Sequence, residues 1–315
     1  MPPWAMRSLL LPALLLLSCG DCSSNNSNQQ AERSVHAVQD HPAYAPLHFP
    51  LAEEAGAEFQ PFNTRLFQQA GEQDLKNRYS STVMISLNAP MSGARCSGVL
   101  LGARLALTSG SCVCGGKRAA SNEVACAARV YVKTIQYGET RGEPVMDMEI
   151  RPYMGTIRPH PELKFIQDER PSVVPGTADL AVVVLDTPVT PSPAEVLLGH
   201  EALQPGELIT MVGYGYGDEV GQIFGHRYFR KNQITKLLPE GRALYEQQWP
   251  FLYNGFHGGP CFREEENGRW LVGIASLGTA DELTVASTHF HQKWILAEIE
   301  RVSGETTSGS EHRSP

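Results

Sequence analysis

The amino-acid sequence predicts an all-β protein, two β-barrels or a sandwich, closed by a C-terminal helix. Three observations carry this expectation. Short runs rich in Val, Ile, Leu and Thr recur through the middle of the chain, bounded by Gly, Pro, Asn or Ser. The chain holds 29 glycines and 22 prolines with 42% hydrophobic residues, which reads as globular and turn-rich. A helical period appears only near the C-terminus.

In order, the strand-like runs are TVMISL (82–87), CSGVLL (96–101), RLALT (104–108) and RVYVKT (129–134). LAVVVL (180–185), LITMVGYG (208–215) and WLVGIAS (270–276) follow. Trp294, Ile295, Ile299 and Val302 then share one face of a helix that begins near His291. Tyr137–Met148 and Lys164–Pro175 read as variable surface loops, and no internal repeat is legible.

The N-terminus reads as a targeting segment, residues 1–19. Arg7 supplies a positive start and SLLLPALLLL (8–17) an apolar core. That core is too short to span a bilayer, which takes about 20 residues. LLSCG (16–20) resembles a bacterial lipobox, which makes Cys19 the acylated residue. The alternative is an ordinary cleaved signal peptide with Cys19 and Cys22 nearby. Both readings export the protein: as a lipoprotein anchored in the bacterial cell envelope through its lipid, or as a secreted protein. Residues 20–77 then form a flexible tether and N-terminal extension, opening on the polar SSNNSNQQAERSVHAVQD, and 303–315 a disordered tail.

The 315 residues suit one large domain or two small ones. With 34 acidic against 26 basic residues, the formal charge is −8, which leaves no footprint for nucleic acid. The cysteines agree with export. Cys96 and Cys112 flank a strand–turn–strand unit and can close it; Cys114 and Cys126 bracket a polar loop and can staple it. Each bridge stabilises by about 2–4 kcal/mol. Cys261 is left over as a buried thiol.

Six landmarks in order resemble the trypsin-like (chymotrypsin-fold) serine proteases. They are CSGVLLGARLALTSGSC (96–112), ADLAVVVLDTPV (178–189), VGYG (212–215), GGP (258–260), LVGIASLG (271–278) and KWI (293–295). The resemblance runs from about residue 78 to 302. It implies two six-stranded antiparallel β-barrels, one over about 78–190 and one over about 200–290, with the helix at about 291–302.

The same resemblance implies site roles. The general-base histidine position, before the second cysteine, is Ser111 here. The nucleophile position, before Gly-Gly-Pro, is His257. The aspartate position keeps Asp179, and Ser276 matches a serine that supports it. Two triad types are therefore exchanged. The oxyanion donors fall at Gly255 and His257, and the specificity pocket at Phe251, Leu252, Ser276 and Gly278. Phe256 stands where the family has the aspartate that pairs with a freed N-terminus, and 64–74 (TRLFQQAGEQD) holds no matching N-terminal motif.

A hydroxyl needs an oriented base within about 2.6–3.2 Å and preorganised donors for the oxyanion. Exchanging Ser111 and His257 leaves the donors on the histidine's bank and the carboxylate beneath the serine. Losing one oxyanion donor alone costs about 10²–10³ in rate. Asp179 therefore reads as a structural carboxylate, satisfied by Ser111, backbone N–H groups and Ser276. His257, even with His289 and His291 of HFH, lacks the three or four converging ligands of a zinc site, so neither a metal nor another cofactor is expected. His160, in RPHPEL, reads as a strand-end residue.

Two functions remain. One is a non-catalytic homologue that binds a protein or peptide, or regulates one. The other is a serine endopeptidase or esterase using the exchanged Ser111–His257 pair.

Overall fold

The computed structural model describes residues 71–87, 96–117, 124–138, 148–167, 173–214, 226–246, 256–277 and 283–308. Twelve strands build two closed barrels. Barrel one contains β1 (Thr82–Ser86), β2 (Cys96–Gly102), β3 (Leu105–Thr108), β4 (Arg129–Tyr137), β5 (Met148–Pro159) and β6 (Ala181–Leu185). Barrel two contains β7 (Leu208–Gly213), β8 (Tyr228–Leu238), β9 (Arg242–Tyr245), β10 (Pro260–Glu265), β11 (Gly268–Leu277) and β12 (Leu283–Ser287).

All pairings within the barrels are antiparallel. Barrel one closes in the order β1-β2-β3-β6-β5-β4. Barrel two closes in the matching order β7-β8-β9-β12-β11-β10. The two barrels therefore repeat one topology, although the sequence shows no repeat. Matching topology requires only matching in–out alternation, which many side-chain sets satisfy.

Each barrel has its own apolar filling. Val83, Leu100, Val132 and Val183 lie in one, Ile209, Met211, Val272 and Val285 in the other. A third cluster joins the barrels and seats the C-terminal helix, with Leu107, Leu180, Val212, Ile274, Ile295 and Val302 among its members. Burying side chains of this size contributes roughly 1.5–3 kcal/mol each.

All seven runs recognised in the sequence lie on strands, and five barrel strands are additional. β8 (YFRKNQITKLL) shows why these were missed: in its middle only Asn232 and Ile234 are buried, and Lys231, Gln233 and Thr235 between and beside them are exposed and polar. β5 carries Arg151, Pro152 and Arg158, which break any apolar run.

Several expected boundaries move. The helix, α2 below, spans Gln292–Ser308, past residue 302 into the expected tail. Part of the expected loop over 164–175 is a two-stranded ribbon, Lys164–Gln167 with Val173–Thr177. His289 and His291 lie in the turn before the helix, not on a strand face. Residues 139–147 and the N-terminal segment through 70, with Cys19 and Cys22, lie outside the described residues. Among the described residues no helix is long and apolar enough to cross a membrane.

The expected tether over 20–77 ends earlier, because its last residues belong to the fold. Glu72–Gln73 pairs with β8, and Asp74 is buried at 1% exposure. Asp74 Oδ2 accepts from Arg227 Nε at 2.8 Å, and its carboxylate also accepts the N–H groups of Arg78 and Tyr79. Arg227, at 0% exposure, further donates to Ile135 O, Tyr214 Oη and Asn77 Oδ1. One guanidinium thus ties the entering segment to strands of both barrels. Breaking such a pair leaves a buried charge uncompensated, at about 3–5 kcal/mol. Arg227→Met should therefore lower unfolding free energy by about that amount in chemical denaturation. The Asp74→Leu, Arg227→Met double variant should be less destabilised than the single one.

Candidate functional site

The site lies on the seam between the barrels. Ser109 follows β3, and a single helical turn, α1 (Gly110–Val113), carries Ser111. Asp179 sits two residues before β6, and Ser276 lies on β11. His257 occupies the tight turn before β10. The structure brings Ser111, Asp179, His257 and Ser276 together. Phe251, Leu252, Gly255 and Gly278 lie outside the described residues, so the pocket floor and one oxyanion position are not part of this geometry.

Asp179 is 2% exposed. Its Oδ1 accepts Ser111 N–H at 2.6 Å; its Oδ2 accepts the hydroxyls of Ser111 at 2.7 Å and Ser276 at 2.5 Å. The Gly110 N–H also donates to it. Burial raises its pKa, and the bonds from Ser276, Ser111 and Gly110 oppose that rise. A Cβ on Gly110 would lie 2.7 Å from Leu163 Cδ2 and 3.2 Å from Asp179 Oδ1, so a side chain there would have to displace Leu163 and would crowd the carboxylate.

The turn holding His257 is tightly fixed. Its carbonyl accepts Ser97 N–H from barrel one, and Gly258 N–H donates to Ala275 O in barrel two. Gly258 has φ +77°, and a Cβ there would lie 2.6 Å from Thr108 Oγ1 and 2.7 Å from Cys112 Sγ. Phe256, just before, is buried in the core of barrel two.

His257 is 7% exposed. Its Nε2 lies 2.8 Å from Ser111 Oγ and 2.9 Å from Ser109 Oγ, and its Nδ1 lies 3.4 Å from Cys96 Sγ. Burial pushes its pKa down to about 3, so the ring is neutral at pH 7. The sequence reading missed Ser109. An N-cap serine usually turns onto its own helix, but this one makes no side-chain cap bond, and its hydroxyl reaches His257 and Cys112 Sγ instead. Its hydroxyl and its place within CSGVLLGARLALTSGSC (96–112), two residues before Ser111, were the signal available.

Proton bookkeeping decides what this arrangement can do. A serine hydroxyl donates once and accepts twice. Ser111 donates to Asp179, and its oxygen has two further partners, His257 Nε2 and Ser109 Oγ at 3.1 Å. The single proton of Ser109 goes to Cys112 Sγ, so Ser111, whose own proton is on Asp179, accepts from His257 Nε2, and that nitrogen carries the ring proton in this arrangement. The proton that an attacking serine must release to imidazole is held by the carboxylate. In the order carboxylate–hydroxyl–imidazole the middle member is the serine, and the imidazole is terminal.

Cys96 and Cys112 are joined as a disulfide, as are Cys114 and Cys126; Cys261 is a buried free thiol whose pKa burial raises. The sulfurs of Cys96 and Cys112 and a nitrogen of His257 lie within 4.8 Å of one another. Metal binding needs thiolates, and bonded sulfurs cannot supply them.

The family model for the trypsin-like peptidase domain matches residues 96–274, more than half of the chain. The chain belongs to that family. No curated protein matches it.

His257 makes the fold pH-dependent. The folded ring resists protonation until about pH 3, whereas an unfolded histidine takes a proton near 6.5. Below 6.5 the unfolded chain binds the extra proton, so stability falls with pH down to about 3, by up to about 1.4 kcal/mol per pH unit. His257→Leu should flatten that slope in denaturant titrations at pH 4–7.

Proposed function

We propose that this chain is a non-catalytic trypsin-like homologue of the bacterial cell envelope, anchored through Cys19, that binds or regulates a protein or peptide. The observation that carries the reading is the hydrogen bond from the Ser111 hydroxyl to Asp179. The Ser111 proton is committed to Asp179, and the hydroxyl oxygen accepts from His257 Nε2–H, which leaves that nitrogen no free lone pair to act as a base. A neutral, buried imidazole at residue 257 adds a second reason, since a base with a pKa near 3 has little drive to take a serine proton at pH 7. The anchor rests on the apolar run 8–17 and on LLSCG. Palmitate labelling of the full chain that vanishes in Cys19→Ser checks it.

One observation favours a second reading, a slow serine hydrolase. Ser111 Oγ and His257 Nε2 are 2.8 Å apart, within reach of proton transfer. With the ring proton on Nδ1, the Ser111 hydroxyl proton would turn from Asp179 and pass from Oγ to Nε2 as Oγ bonds the acyl carbon; Nε2 would then give that proton to the departing alcohol or amine as its bond to the acyl carbon breaks.

Fluorophosphonate labelling and ester turnover separate the two readings. The expected result for the unaltered chain is no labelling above that of Ser111→Ala. Labelling lost in both Ser111→Ala and His257→Ala would establish the hydrolase. The restored pair, Ser111→His with His257→Ser, should still cleave peptides poorly because Phe256 remains in the core of barrel two. Robust cleavage by that variant would overturn the argument from the missing activation aspartate.

A further inference from the structure

We infer that the seat of the C-terminal helix, α2, on barrel one is an acid-releasable joint built on the stacked pair His160 and His291. The inference is independent of how Ser111 is read.

His160 follows β5, and His291 closes the turn that leads into α2. Their rings meet edge to face with centroids 4.8 Å apart. Trp294 of α2 packs on His160 at 4.6 Å, and Phe290 on His291 at 5.0 Å. The exposures of His160 and His291 are 6% and 4%. His160 N–H donates to Leu180 O, and its Nδ1 accepts Glu162 N–H at 3.1 Å. His291 Nε2 is buried with no hydrogen-bond partner. A proton there would create a buried N–H with no acceptor beside a second imidazole, the costliest state for such a group.

The charged groups around the pair do not relieve this. Glu298 of α2 is bracketed by Arg158 of β5 at 3.2 Å and Arg301 at 2.7 Å. Lys293 is exposed on the helix. Glu162 offers His160 a partial counter-charge, yet burial still lowers that ring's pKa. Burial, and then His160, bring His291 down to about 4.

The direction follows from linkage. A released ring protonates near pH 6.5, a docked one only well below. The undocked state therefore gains protons as pH falls below 6.5, and docking weakens by up to about tenfold per pH unit for each proton taken up. α2 is joined to β12 by the single turn 288–291 and makes no sheet pairing, so it can lift without breaking a barrel ladder.

Hydrogen exchange on the mature full chain tests this, with protection factors compared at pH 7.5 and 5.0. Helix amides should lose at least about tenfold protection on acidification, through an opening separate from global unfolding, so that β2, β7 and β11 stay better protected than the helix at both pH values. Emission from Trp294, read against Trp294→Phe, should change over the same range. His291→Phe, an aromatic that cannot titrate, should abolish the helix-specific loss, and His160→Gln should reduce it. Helix and barrel amides sharing one protection factor at each pH, or a helix loss undiminished in both variants, would overturn the inference.

Discussion

A carboxylate shut between two barrels must find its solvation in the protein, and the arrangement of the whole site follows from how Asp179 finds it. Four donors converge on it, two from the backbone of α1 and two from hydroxyls. The turn at Gly110 must come close, where a side chain would crowd the carboxylate. Ser111 must point inward, so its proton is spoken for. Ser276 must reach across from barrel two. Removing any of these would leave a charge or a polar group stranded at about 1–3 kcal/mol or more.

The same constraint supports the proposal that exchanging serine and histidine does not reproduce the chemistry in mirror form. The carboxylate is fixed in barrel one by residues that precede and follow it in the chain. The turn at His257 is fixed by Ser97, Ala275 and two glycines that tolerate no side chain. Neither bank moves when side chains change. The residue nearest the carboxylate is held by it, and the residue at the turn is far enough into the core to lose its charge. A histidine beside the carboxylate would be oriented and made more basic; a serine there is merely tethered.

Much of this was legible in the sequence, for physical reasons. Strands with an unbroken apolar run, such as β6, and the spacing of Cys96, Cys112 and the Gly-Gly-Pro turn fixed the architecture, because both reflect constraints local in sequence. Strands with one wet face, such as β8, were not legible. Their signal is an alternation that Lys231, Asn232 and Gln233 blur. The triad positions could be placed, but not the direction of Ser111's proton, which depends on three groups meeting from distant parts of the chain. Ser109 was overlooked because a small polar residue before a helix usually serves as its cap. Asp74 and Arg227, 153 residues apart, offered no local sign of their pairing.

The polar bonds of the site also join the barrels. Ser276 to Asp179, Ser111 to His257 and Ser97 to the His257 carbonyl all cross the seam. Tyr214 N–H to Ser97 Oγ crosses it again at 3.0 Å. A working hydrolytic groove must hold some of its polar groups unsatisfied until substrate arrives, because the transition state supplies their partners. Here those of Asp179, Ser111 and Ser109 are already partnered within the protein. Each bond that satisfies the site at rest raises the cost of opening it for attack. On the proposed non-catalytic reading, the seam holds two barrels in register and presents a fixed surface.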